Sequence, residues 1–230
     1  MQGPFGPVQA TQYDLQFTLF GFPVRVTPWF WLTGVMLGFD FLQNRENGLL
    51  LLLMWLGVLF VSILVHELGH ATIANLFGYP PSIVLYHFGG LAFYEPAYGY
   101  TTPKAVLISF AGPAFGFVFG GAVYGLSQLV PPENVSYVGR FALAQLFWVN
   151  IAWGLVNLLP VLPLDGGQIT REVCLSASPY RGMTVTQWIS IIVAGCVGAW
   201  FLVDGQRYNG LFFVLLAVQN YRELQQRRAW

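Results

Sequence analysis

The chain has 230 residues, of which 10 are basic and 10 acidic, 9% in all, against about 25% for an ordinary soluble domain. Hydrophobic residues make up 56% and aromatics 17%, which excludes a solvated surface and equally a disordered chain, since disorder needs high charge and few aromatics. Net charge is zero, so there is no basic excess for binding nucleic acid. What remains is an α-helical polytopic membrane protein.

A spanning helix with its connector takes ~30–40 residues, so about six transmembrane helices fit. The N-terminus, MQGPFGPVQATQYD, has neither a charged n-region nor an apolar h-region, so it does not read as a cleaved signal peptide. Residues 15–26 (LQFTLFGFPVRV) alternate apolar and polar, with Gly21 and Pro23 as turn chemistry. This predicts a short N-terminal β-hairpin.

Apolar segments follow at 29–42, 49–72, 104–130, 138–159, 185–203 and 209–221. The first and last are short for a full span. Pro160 and Pro163 end the fourth. No internal repeat is visible, which weakens a transporter built from inverted halves. Cys174 and Cys196 set no disulfide framework.

Six spans place both termini on one side. That side collects Arg25, Lys104, Arg171, Arg181, Arg222, Arg227 and Arg228, and the other only Arg45, Arg140 and Arg207. The termini and the active-site face are therefore expected to be cytoplasmic, in the plasma or inner membrane. Trp29, Trp31, Trp188 and Trp200 sit near span ends, where either an interfacial belt or plain packing would place them. Gly112, Gly116 and Gly120 recur every four residues in the third span, which reads as a helix-packing face.

The chemistry lies in the second span, at His66-Glu67-Leu68-Gly69-His70. Residues four apart share a helix face, so both imidazoles can reach one Zn²⁺. Glu67, one position on, can contact a metal-bound water and act as its general base. Two of the chain's three histidines fall in this pattern. Ionisable groups at such depth cost ~2–3 kcal/mol or more unless used or paired.

Two imidazoles leave a catalytic zinc one ligand short. The candidates on the same face are His87, Glu95, Asp165 and Glu172. Asp165 follows two prolines and precedes Gly166-Gly167 in NLLPVLPLDGGQ, a context that suits a ligand held by irregular backbone. The same Asp-Gly-Gly also reads as a helix cap or Asx turn.

Segment 82–95 (SIVLYHFGGLAFYE) flanks Gly89-Gly90 with β-branched and aromatic runs, a hairpin signature. Its free edge could take an extended peptide as an added strand. Residues 83–94, with Gly89, Gly90 and His87, are thus the candidate substrate-binding segment. His87 otherwise reads as packing.

HELGH in an apolar helix, followed some 90 residues later by N-x-x-P-x-x-P-x-D-G-G, resembles the site-2 protease family of intramembrane zinc metalloproteases. FGFPVRV, Phe88-Gly89-Gly90 and Ala111-Gly112-Pro113 are similar to further family features, the second being a membrane-associated hairpin between spans 2 and 3. The resemblance implies that His66, His70 and Asp165 bind one zinc ion. It implies that Glu67 is the catalytic base and that Asn157 positions the substrate or polarises its carbonyl. It also implies that the substrate is a single-span membrane protein cut in regulated intramembrane proteolysis. One departure is Gly116, where the family often carries asparagine. No appended PDZ or CBS domain fits, so residues 1–230 read as one minimal catalytic domain: 1–28 N-terminal, 29–221 transmembrane, 222–230 a cytoplasmic tail.

The competing reading is a non-proteolytic metal-binding protein or transporter. It would want ionisable residues along a path across the membrane. The spans supply almost none, Asp40 lying near a span end.

Overall fold

The computed structural model describes residues 2–3, 6–7, 10–87, 89–95 and 99–228. In chain order these form β1 (Gln2–Gly3), β2 (Gly6–Pro7), β3 (Leu15–Leu19), β4 (Phe22–Val26), α1 (Pro28–Leu37) and α2 (Gly48–Leu76). There follow β5 (Pro81–Tyr86), β6 (Gly89–Tyr94), α3 (Thr102–Ser127), α4 (Tyr137–Asn157), α5 (Asp165–Ala177), α6 (Gly182–Val203) and α7 (Arg207–Arg228). The chain is mostly helical with a small sheet near its N-terminus. By length and composition α2, α3 and α6 can each cross a membrane.

The six apolar segments correspond to α1, α2, α3, α4, α6 and α7. The first is broken: α1 stops at Leu37 and a 3-10 turn covers Phe39–Gln43. Ten residues of α-helix reach only about 15 Å. Unforeseen is α5, a helix amphipathic enough to carry Arg171 and Glu172 together with Ile169 and Val173. Its polarity hid it between apolar runs.

The chain divides into two compact units, with one boundary between residues 98 and 99 and the others inside α3 and α4. The first holds Met1–Tyr98 and Ala111–Gly154. Its centre is a four-stranded sheet in the order β3-β4-β5-β6. The N-terminal hairpin forms as expected, with Phe20 and Gly21 both at positive φ, 51° and 86°, as a two-residue turn requires. Pro23 is not in the turn but in β4, opposite Thr18. The neighbouring β4 and β5 run parallel, with Val24 opposite Ile83 and Val26 opposite Leu85. These four side chains meet Phe30 of α1 and Leu59, Ile63 and Leu64 of α2 in one buried core. The alternation of β4 thus buries Val24 and Val26 while Arg25 faces away to pair with Asp14 at 3.1 Å.

The second hairpin forms over β5 and β6, but Gly89 and Gly90 are not its turn. They pair with Tyr86 and Leu85 inside the strands. His87 takes the turn instead, at φ 24°, beside Phe88, which lies outside the described residues.

The second unit holds Gly99–Phe110 and Leu155–Trp230. Here α6 and α7 cross at two glycines: a Cβ on Gly198 would stand 3.2 Å from the Gly210 carbonyl oxygen. Val161, Ala194, Phe213 and Leu216 form its buried core.

Candidate metal centre

Helix α2 carries Gly48 to Leu76 without a break, so His66 and His70 stand one turn apart on one face. Both are buried, 3% and 7% exposed. Their Nε2 atoms face each other at 3.1 Å. Two imidazoles on a tetrahedral zinc with bonds of about 2.0–2.1 Å would hold their nitrogens about 3.3–3.4 Å apart, so the pair fits a zinc with a small rotation. Glu67 is also buried, and one ligand atom from each of the three residues lies within 4.8 Å of the others. Among the described residues this is the group that could hold a metal ion.

The walls of this group are glycines. A Cβ on Gly112 of α3 would come within 2.5 Å of His70 Cε1 and 2.8 Å of His66 Nε2, and closer still to His70 Nε2. Gly112 thus lies where α3 packs on α2, as a packing glycine would, and its missing side chain also leaves clear the space beside both nitrogens; Gly120 of the same row meets α4. Gly69 of α2 adds to this close packing, since a Cβ there would strike the Ala111 carbonyl oxygen. Gly90 of β6 plays the matching part for the carboxylate, since a Cβ there would stand 2.5 Å from Glu67 Cγ and 2.7 Å from Oε1. The signal for both roles was the residue type alone. Nothing in the spacing tells which neighbour a glycine meets.

A Cβ on Gly116 would stand 3.5 Å from the Asn150 carbonyl oxygen and 3.7 Å from its Oδ1. The Asn150 Nδ2 donates to Ser62 Oγ at 2.9 Å and to the Leu146 carbonyl at 2.7 Å. Ser62 stands one turn before His66, so this polar contact ties the metal-bearing stretch of α2 to α4. Sequence reasoning missed it. Tyr86, on β5, has its phenol pushed well above the usual range by burial and then by the charge of Glu67, so it remains a protonated neighbour of the carboxylate.

The remaining candidates stand as follows. His87 is exposed and stacks on Trp29, ring centroids 5.7 Å apart and 7° from parallel, in line with packing. Glu172 is engaged by Arg171 at 2.8 Å. Glu95 is exposed. In the second unit Asn157 ends α4 and is 7% exposed. Asp165 heads α5, where Leu164 is the N-cap, so Asp165 is not the cap residue. A carboxylate in a helix's first turn is favoured by the exposed amides there. Neither Gly166 nor Gly167 is among the glycines at positive φ. Both lie in the first turn of α5, where a Cβ would strike the backbone of Leu158 and of Val161–Leu162. They serve close packing rather than unusual backbone.

Residues 133–197 match the profile of Peptidase family M50. The chain is 32% identical to a Synechocystis protein over 80% of its own length and 48% of that protein. It is 30% identical to a zinc metalloprotease of Methanocaldococcus jannaschii over 68% of its length and 44% of the relative. It is 26% identical to stage IV sporulation protein FB of Bacillus subtilis over 89% of its length and 67% of the relative. The chain thus spans about half the length of the first two of these relatives. Among solved structures, the site-2 protease from Methanocaldococcus jannaschii superimposes with a TM-score of 0.63 at 25% identity, over 93% of this chain and 94% of that one.

Proposed function

We propose that this chain, a member of the site-2 protease family of zinc metallopeptidases (peptidase family M50), is an intramembrane endopeptidase. It hydrolyses peptide bonds within the membrane-spanning segments of protein substrates. The observation that carries this reading is the buried turn His66-Glu67-Leu68-Gly69-His70, with two facing Nε2 atoms and a carboxylate beside them.

His66 and His70 would hold the zinc, and Asp165, borne by the N-terminal turn of α5, would complete the ligand set. When bound, the zinc acts as a Lewis acid toward the scissile carbonyl and lowers the pKa of the attacking water toward about 7. Glu67 takes the proton of that water on its carboxylate and returns it to the leaving nitrogen. The Asn157 amide donates a hydrogen bond to the developing oxyanion.

A helical substrate hides its amides and must unwind before attack. β6 offers a place for the unwound stretch: among the described residues it pairs with β5 on one side only, and its Gly90 abuts Glu67. An extended peptide added along β6 would lie beside the carboxylate, with Gly89 and Gly90 lining the contact and His87 at its edge. The broader expectations belong to this reading: one catalytic domain over 1–230, six membrane passages, a β5–β6 hairpin at the membrane, and termini and metal centre toward the cytoplasm. The bilayer and a single-span membrane protein are the partners.

The test is zinc content and cleavage of a single-span substrate by the purified protein in lipid, comparing wild type with Glu67→Gln. Zinc at wild-type stoichiometry with turnover lowered by about 100-fold or more is the expected result. Undiminished cleavage by Glu67→Gln would end the reading.

A further inference from the structure

Between α4 and α5, residues 158–164 are not helical, and Pro160 and Pro163 have no N–H to donate. The N–H groups of Leu158, Leu159, Val161 and Leu164 all find backbone carbonyls within the stretch 155–161, at 2.7–3.2 Å. The N–H of Leu162 does not. It donates to Ser190 Oγ of α6 at 3.0 Å. Its carbonyl accepts from Asn220 Nδ2 of α7 at 2.8 Å, and the other Asn220 proton goes to Leu216 O at 2.9 Å. One residue of the turn is thus gripped at both polar ends by side chains from two different helices. Ser190 is 0% exposed and Asn220 1%. Polar groups so placed in apolar helices are rare without a use, and irregular backbone at membrane depth must have its polar groups satisfied.

The grip is transmitted. Gly167 packs on the backbone of Val161 and Leu162, and Gly166 on that of Leu158 and Leu159, with no space for a methyl group. The turn and the first turn of α5 therefore move as one body, and Asp165 heads that body.

We propose that Ser190 and Asn220 are positioning residues for Asp165: by holding Leu162 they fix where the carboxylate stands. This rests on the reading of Asp165 as a zinc ligand. Residues that orient a ligand from behind characteristically change metal affinity 10–100-fold when removed.

The experiment measures zinc affinity by chelator competition, and the visible spectrum of the Co²⁺-substituted protein, on the full chain in lipid micelles. The variants are Asp165→Ala, Asn220→Leu, Ser190→Ala, Ser190→Thr and the Asp165→Ala/Asn220→Leu pair. Expected is a loss of roughly tenfold or more for Asn220→Leu and Ser190→Ala, with an altered Co²⁺ spectrum and an affinity near wild type for Ser190→Thr, which keeps the hydroxyl. The double variant should bind no more weakly than Asp165→Ala alone. Wild-type affinity in Asp165→Ala would overturn the ligand reading itself. A weakened Asp165→Ala beside unchanged Asn220→Leu and Ser190→Ala would overturn the positioning role alone, as would an Asn220→Leu loss that persists in full without Asp165. Should Asn220→Leu fail to fold, the two Ser190 variants decide.

Discussion

Gly112 stands so close to His70 that a methyl group on it would overlap Nε2, and the same methyl would lie 2.8 Å from Nε2 of His66. The space between these nitrogens is kept by a missing side chain on another helix. A metal and a Cβ cannot both occupy it.

Gly112→Ala should therefore weaken zinc binding by roughly 10–100-fold. Gly121→Ala, on the same helix with nothing within 4 Å of its Cβ, should bind zinc normally. Zinc analysis after dialysis against a metal buffer reads both. The overlap also predicts non-additivity in apo-protein melting. Gly112→Ala should cost more stability with His70 present than when His70 is replaced by Ala, since the contact with His66 remains.

Gly90→Ala tests the other wall. Its Cβ would stand 2.5 Å from Glu67 Cγ, and the carboxylate must turn away. A displacement near 1 Å at a reacting group can cost about 100-fold in rate. The expected outcome is zinc retained with kcat reduced on that scale. Loss of zinc together with activity would mean that Gly90 acts through the fold.

Ser62→Ala removes the acceptor of a buried Asn150 bond at 2.9 Å. Interhelical bonds of this kind contribute about 0.6 kcal/mol on average and up to about 1.7. A loss in that range in reversible unfolding is expected, and zinc affinity should fall little, because His66 and His70 stay on an intact helix.

Acid should loosen the first hairpin. Burial raises the Asp14 carboxyl, but hydrogen bonds from Thr11 and the charge and hydrogen bond of Arg25 outweigh it and hold the group below 3.8. A depressed folded pKa means stability that is fully present above the ordinary carboxylate value and lost as pH falls through the lowered one. The melting-temperature gap between wild type and Asp14→Asn should be constant from neutral pH to about 5 and should close below the lowered value.

The membrane class and the HELGH turn were legible because polar residues are so few. A helix period puts His66 and His70 on one face whatever surrounds them, and an apolar background makes them conspicuous. The first hairpin was legible from alternation, and the second from β-branched and aromatic runs around two glycines, although those glycines pair inside the strands. What stayed hidden depended on contacts between distant segments. Gly112 and Gly90 look alike in sequence, yet one faces imidazoles and the other a carboxylate. Ser190 and Asn220 are small polar breaks in apolar runs, and only the folded turn shows that both meet Leu162. α5 was missed because its polar face interrupts the hydropathy on which span reading depends. α1 was read as too long because apolarity continues through Phe39 and Leu42 after the α-helical hydrogen bonding has changed.

The parallel pairing of β4 with β5 constrains how the chain is threaded. Val26 lies beside Leu85, so the stretch between them begins and ends at the same level. α2 occupies 29 residues of that stretch and advances about 44 Å. If α2 carries the chain through a bilayer, residues 27–47 must carry it the opposite way first. On that condition the number of passages between the two strands would be even, and the stretch holding α1 and its 3-10 turn would supply the other one. The sheet, a soluble-looking feature, would then set the parity of the membrane crossings.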